Sequence, residues 1–279
     1  ILDIGFQDLK SAQYHIELIE LKDVSSCSPV HAANINKFSR GKVISVAGSS
    51  GYVGACILAV DAAMSVGGGI VKVIVPESLK YIYETSLTEA IMISVYDHDE
   101  GFFIKEHVDR MLTEILWADA VLFGPGLKTD SLASEWMADV LKNINKPLVL
   151  DASGFQPLID KILKIDELPR ESILTPHYSE FSRIFNLNLK EIHENPINAV
   201  KSIISQLNGR VLILKGATNI IVTSEGKILL MDHGISALAT AGSGDVLTGI
   251  LASSISQGLD MNEAAVYSTY LHAECAHKF

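Results

Sequence analysis

Cysteine is scarce in this chain. Its 279 residues hold three, Cys27, Cys56 and Cys275, far apart and without a CxxC pair. That number and spacing exclude a disulfide framework and a cysteine zinc site, and they fit a reducing cytoplasm. Positive charge is also short: 22 Lys and Arg stand against 33 Asp and Glu, for a net charge of -11. Nucleic-acid binding needs clustered cations to neutralise phosphates, so no nucleic-acid partner is expected and a small-molecule ligand is. The longest uncharged stretch, 43–60, is broken by Gly48, Ser49, Ser50, Gly51 and Gly54. It therefore reads as strand, loop and buried helix and not as a membrane span, and no basic-then-apolar leader marks the chain for export. The sequence opens on Ile1 without a methionine and reads as a fragment of a longer protein.

Apolar residues, by contrast, make up 48% of the chain, enough for a large core. Short aliphatic runs recur at 42–47, 70–75, 91–96, 120–123, 147–150, 172–175 and 211–215. Most are separated by segments of helical length, such as 52–66, 105–117, 131–143 and 196–207. Strands this apolar are covered on both faces, and intervening helices imply right-handed crossovers. The expectation is a three-layer α/β/α sandwich with a mostly parallel central sheet. The stretch "NIIVTSEGKILLMD" departs from the alternation and predicts an antiparallel hairpin around Ser224-Glu225-Gly226. Residues 1–40 read as an N-terminal arm or linker, and 41–279 as one domain.

In such sheets, ligands sit beyond the carboxyl ends of the strands. Five strand ends carry candidate chemistry. "VAGSSGYVGA" (46–55) is either a phosphate loop or a tight turn, and "FGPGL" (123–127) is either a close backbone approach or an ordinary turn. Asp151 in "LDASGF" reads first as a helix cap and second as a polar group facing the cleft. In "LTPHYSEF", His177 and Glu180 share a helix start. His177 could hold a polar substrate group and Glu180 a Mg²⁺ ion through water, or Glu180 could simply favour the helix dipole with His177 a surface residue. In "ILKGATNIIV", Lys215 and Gly216 lie where backbone and one cation could grip a nucleotide, or in a plain hairpin turn.

The most specific stretch is "TAGSGDVLTGI" (240–250). Gly242, Ser243 and Gly244 put bare amides at a helix start, which suits a transferring phosphoryl group. An acid immediately after them, Asp245, is unfavourable beside phosphate unless it takes a proton from an attacking hydroxyl. Helix-dipole stabilisation would account for Asp245 but not for the three small residues preceding it.

These six motifs, in this order, resemble the ADP/ATP-dependent NAD(P)H-hydrate dehydratase family of the ribokinase-like superfamily, over roughly 41–279. "ILDIGF" at the N-terminus resembles the last strand of the NAD(P)H-hydrate epimerase domain, which implies a fused epimerase and a bifunctional protein. The resemblance implies a ribokinase-like three-layer sandwich that phosphorylates the ring hydroxyl at C6 of hydrated NADH or NADPH, using ADP or ATP, and then expels phosphate. It assigns Asp245 as the general base and Gly242, Ser243 and Gly244 as the anion hole. Lys215, Gly216, Ala217, Thr218, Asn219 and Gly244 are its nucleotide contacts; Ala55, Gly126, His177 and Asp245 contact the hydrate. Glu180 would organise Mg²⁺ through water, and the assembly would be a homotetramer. Three positions depart from the family pattern: Asn219 where Thr is frequent, Ser153 where Asp is, so that no catalysis is assigned to "LDASGF", and Ser243 where Thr is usual. The same fold could instead serve a vitamin kinase acting on hydroxymethylpyrimidine, hydroxyethylthiazole or pyridoxal, or a nucleotide-binding subunit without catalysis.

Overall fold

The computed structural model describes residues 16–29, 36–232 and 236–277. Ten strands within them form one sheet: β1 (Ile16–Leu18), β2 (Lys42–Val46), β3 (Ile70–Pro76), β4 (Ile91–Val95), β5 (Ala120–Phe123), β6 (Leu148–Leu150), β7 (Ser172–Leu174), β8 (Val211–Leu214), β9 (Asn219–Val222) and β10 (Ile228–Met231). Their order across the sheet is β1-β10-β9-β8-β7-β6-β5-β2-β3-β4. Of these ten, β9 alone runs against the rest, through the hairpin with β10 that the sequence predicts.

Strands β2 to β10 supply both covering layers, because successive side chains point to opposite faces. In β2, Ile44 and Val46 enter one core while Val43 enters the other; in β5, Val121 and Phe123 part company with Ala120 and Leu122 in the same way. One face is closed by α1 (Leu21–Ser26), α2 (Val53–Ser65), α3 (Lys80–Ser86), α11 (Ser243–Ser256) and α12 (Met261–His277). The other is closed by α4 (Val108–Ile115), α5 (Ser131–Asn143), α6 (Gln156–Ile159), α7 (Tyr178–Phe185), α8 (Leu189–Glu194), α9 (Pro196–Lys201) and α10 (Ile204–Leu207). Fully buried aliphatic side chains on both faces, each worth about 1.5–3 kcal/mol of transfer free energy, explain why these strands carry almost no polar residues.

Helices α2 and α11 touch backbone to backbone. A Cβ added at Gly249 would lie 1.9 Å from the Ala59 carbonyl oxygen, which is why "DVLTGI" carries a glycine in mid-helix. This contact fixes the start of α11 relative to the loop before α2.

One expectation changes. The segment 196–207 is two short helices, α9 and α10, broken where the Ser202 hydroxyl donates back to the Ala199 carbonyl at 2.7 Å and Ile203 drops into the core.

 Within the N-terminal arm, residues 16–29 pack on the sandwich: β1 pairs in parallel with β10, from Ile16 opposite Ile228 to Leu18 opposite Leu230, and Ile19 N donates to Leu230 O at 2.9 Å. Val24 of α1 is buried in the same core as α12. Residues 1–6, which carry "ILDIGF", lie outside the described residues. Among the described residues, no helix is long and apolar enough to cross a membrane.

Candidate active site

The chain direction across the sheet reverses at β2. From there β3 and β4 lead one way, and β5 to β8 lead the other. Loops diverge at such a point and leave a crevice beyond the strand ends. Both glycine loops meet there: Gly48 N donates to Pro125 O at 2.7 Å and Ser49 Oγ to Gly126 O at 2.8 Å. Gly126, at φ +66°, lies so close to α2 that a Cβ would meet Tyr52 O at 2.6 Å and the Ala55 Cβ at 3.0 Å. Ala55 and Gly126 are therefore neighbours. A cavity of about 550 Å³ opens beside them, bounded by Ser49, Tyr52, Phe102, Lys128 and Ser153 among others.

Gly242 is the N-cap of α11 and takes a left-handed conformation, φ +94°, that a side chain would strain. Ser243 Oγ donates to Leu238 O at 2.8 Å, which ties the preceding loop to the helix start. Its amide makes a long 3.4 Å contact with Thr240 O. First-turn amides have no carbonyl four residues back within their own helix, so the start of α11 presents donors to the crevice. A Cβ at Gly244 would lie 3.2 Å from Lys215 Nζ, which places the lysine against the bare backbone of that turn.

Asp151 corrects the sequence reading. It occupies the N-cap position of a short 3₁₀ turn (Ala152–Phe155), yet its side chain makes no capping bond. Its carboxylate turns into the crevice and is almost completely buried. Oδ1 accepts from Lys215 Nζ at 2.6 Å and from Thr175 Oγ1 at 2.8 Å, while Oδ2 lies 2.9 Å from Thr248 Oγ1. The single Thr248 proton serves either that oxygen or the Gly244 carbonyl, also at 2.9 Å. The ends of β6, β7 and β8 and the first turns of α11 thus converge on one carboxylate.

On the far side of Lys215, a cavity of about 410 Å³ is bounded by Lys215, Gly216, Ala217, Asn219, Leu238, Ala239, Ser243, Gly244, Leu247 and His272. Four of the five residues from Lys215 to Asn219 border it. Thr218 does not; its hydroxyl donates to Asp232 at 2.9 Å. Asn219 Oδ1 accepts from Gly216 N at 3.1 Å, so this side chain holds the turn that shapes the cavity. Sequence reasoning missed Leu238, Ala239, Leu247 and His272. Leu247 stands in the quoted motif, but its helical phase is not visible without the partner helix, and His272 reaches the site only through the packing of α12.

His177 is the N-cap of α7. Its Nδ1 accepts from Ser179 N at 3.1 Å and Glu180 N at 3.3 Å, and Glu180 Oε2 accepts from His177 N at 2.9 Å. This reciprocal box leaves Nε2 as the protonated nitrogen of the neutral ring. Lys215 N donates to Pro176 O at 2.9 Å, which seats His177 beside the lysine. The box also engages Glu180, and no group of three or more His, Cys, Asp or Glu among the described residues is disposed to hold a metal ion.

The electrostatics follow from burial and from the central carboxylate. Burial, and then the charge of Asp151, push the Asp245 carboxyl up to about 6, against a smaller opposing pull from Lys215. Burial raises Glu180 to about 7. His272 falls to about 4, chiefly through burial, and burial followed by the Lys215 charge lowers His177. At neutral pH the crevice therefore holds two neutral imidazoles, one lysine and an ionised Asp245 whose proton affinity is well above that of an ordinary aspartate.

The mostly parallel three-layer sandwich has the fold of ribokinase-like proteins, and it sets this glycine-and-acid helix start beyond its strand ends. Within that class, the chain belongs to the NAD(P)H-hydrate dehydratase family, whose model matches residues 43–279. It is 32% identical over 276 residues to a bifunctional NAD(P)H-hydrate repair enzyme of Moorella thermoacetica, covering 98% of this chain and 52% of that protein. It is 27% identical to an ADP-dependent (S)-NAD(P)H-hydrate dehydratase of Xanthomonas campestris, over 88% of this chain and 82% of the relative. An ADP/ATP-dependent NAD(P)H-hydrate dehydratase from Bacillus subtilis, co-crystallised with ATP/Mg²⁺, superposes with a TM-score of 0.79 at 28% identity, over 94% of this chain and 89% of that one. The chain spans about half the length of the bifunctional relatives it matches.

Proposed function

We propose that this chain restores NADH or NADPH from its (S)-hydrate, using ADP or ATP to phosphorylate the ring hydroxyl. The observation that carries the reading is the position of Asp245: a half-buried acid directly behind the backbone turn of Gly242–Gly244, with Lys215 alongside. The nucleotide occupies the cavity bordered by Lys215, Gly216, Ala217 and Asn219, and the hydrate occupies the crevice at Ala55, Gly126 and His177. The loop after β6 bridges the two, since Asp151 contacts Lys215 while Ser153 borders the other cavity.

In the reaction, Asp245 accepts the proton of the C6 hydroxyl as its oxygen attacks the terminal phosphorus of the nucleotide. The P–O bond to the leaving nucleotide breaks, and ADP or AMP departs. The amides at the start of α11 and the Lys215 ammonium face the charge that builds on the transferring phosphoryl oxygens. Phosphate then leaves C6 with the C–O electron pair, pushed by the ring nitrogen, and loss of a proton from C5 regenerates the dihydropyridine. A divalent cation would enter with the nucleotide phosphates, since Glu180 is engaged by its helix cap. The three cysteines are free, in keeping with a cytoplasmic setting. Exposed Tyr52, Leu58, Tyr81 and Ile82 on α2, α3 and their approaches support self-association, for which we propose the homotetramer.

The test mixes the protein with hydrated NADH, Mg²⁺ and either ADP or ATP and follows absorbance at 340 nm. A nucleotide-dependent rise that vanishes in Asp245→Asn supports the reading and names the donor. No rise with either donor, from protein that binds nucleotide, overturns it and directs the search to vitamin alcohols.

A further inference from the structure

The crevice places one ammonium between two carboxylates, and the pairing is unequal. Lys215 Nζ lies 2.6 Å from Asp151 Oδ1, whereas Asp245 forms no ion pair among the described residues. Asp151 is fixed from three directions: Thr175 beyond β7, Lys215 beyond β8 and Thr248 on α11. Thr248 lies one turn after Asp245 on the same helix, so the acid that binds the lysine also sets the register of α11 against β8. A lysine paired with Asp245 would occupy the lone pairs that a base needs, and its charge would weaken that base.

We propose that Asp151 is a positioning residue: it holds the Lys215 ammonium against the backbone of Gly244 and away from Asp245, so that a phosphate-facing cation and a free base coexist in one crevice. The charged and titratable groups around Asp245 agree with this division. Asp151 comes from the loop after β6, Lys215 from the end of β8 and Cys56 from α2. Those behind them are His177 and Glu180 of the α7 start, which face Asp151 and Lys215, and His272 of α12, which bonds the Ser243 backbone. Burial and then the Asp151 charge raise the proton affinity of Asp245, and Lys215, held on Asp151, opposes them only in part.

The proposal rests on Asp245 being the base of the reaction above, but its test uses the free protein without substrate or nucleotide. A wrong substrate assignment would leave the outcome intact. The protein is labelled with ¹³C at the aspartate carboxyls, and the Asp245 signal is assigned by its loss in Asp245→Asn. The wild-type midpoint is expected at about 6. In Asp151→Asn, the amide oxygen at the Oδ1 place still accepts from Thr175 and the amide nitrogen at the Oδ2 place donates to Thr248 Oγ1, while Lys215 is released to the remaining carboxylate. The Asp245 midpoint should fall by about one pH unit or more. In Asp151→Asn/Lys215→Met, no cation remains to transfer, and at least half of that fall should be recovered.

An unchanged midpoint in Asp151→Asn overturns the proposal. A double variant as low as the single one also overturns it, because the fall would then come from the lost Asp151 charge alone. Should Asp151→Asn not fold, Thr248→Val carries the test. It keeps every charge and loosens one side of the carboxylate: a fall in the Asp245 midpoint supports the proposal, and constancy overturns it.

Discussion

The Lys215 ammonium lies 2.6 Å from the Asp151 carboxylate across 64 residues of sequence, and it joins the ends of β6 and β8, which are two strands apart in the sheet. Both partners are largely withdrawn from water, with side-chain exposures of 20% and 1%. Such a pair adds little net stability over an apolar replacement, but removing one member strands the other.

Lys215→Met should therefore destabilise the fold by about 3–5 kcal/mol, because it leaves the Asp151 charge buried without its cation. For a chain of this size that corresponds to a fall in Tm of roughly 10 °C. Calorimetry checks it, and Asp151→Asn/Lys215→Met should recover most of the loss.

Asp245→Asn should separate activity from stability. Turnover should fall by about 10²–10⁴-fold, the usual contribution of a general base, while nucleotide affinity stays within about twofold. The carboxyl's folded value of about 6 lies above its ordinary 3.8, so ionising it opposes folding. That penalty is full above about pH 6 and disappears as the pH falls below 3.8. The Asn variant should be more stable than the parent by about 1 kcal/mol at pH 8, after allowance for partial exposure, and the advantage should shrink as pH falls from 6 toward 4. Thermal scans across that range read the difference directly.

The turnover rate should rise tenfold per pH unit below about 6 and level off above it, since Asp245 acts only when deprotonated. Glu180, at about 7, belongs to the α7 cap and not to proton transfer, so Glu180→Gln should leave this acid limb in place. A pH–rate profile of both proteins checks the assignment.

Gly249→Ala should cost about 3 kcal/mol, near the upper end of the usual range for overpacking, because the new methyl would overlap a backbone oxygen that cannot swing aside. Urea denaturation measures it. The shift of α11 away from α2 should also reduce turnover, although Gly249 touches neither cavity.

Strands β2 to β8 were legible in the sequence because burial on both faces leaves nearly pure aliphatic runs, and the β9–β10 hairpin because Glu225-Gly226 punctuates two of them. The glycine loops could be placed at strand ends for the same reason. What resisted reading was contact across the sheet. Asp151 looks like a helix cap in "LDASGF" since the partners that claim it, Lys215 and Thr248, are 64 and 97 residues away. Neither its burial nor the charge it imposes on Asp245 has any local signature. Conversely, the Glu180 carboxylate, three residues from His177, made a plausible metal contact by spacing, while the reciprocal cap that engages it depends on the exact backbone turn after Pro176.

The pairing of β1 with β10 bears on how the molecule can be cut. Composition and the family match both place a boundary near residue 41, but removing everything before it would strip the hydrogen-bonding partner from 228–230. The apolar strand β10 would become an open edge, the feature through which sheets join end to end and precipitate. A shortened version that begins ahead of Ile16 keeps that edge covered, so the practical limit of the sandwich lies some 25 residues earlier than the family match alone would place it.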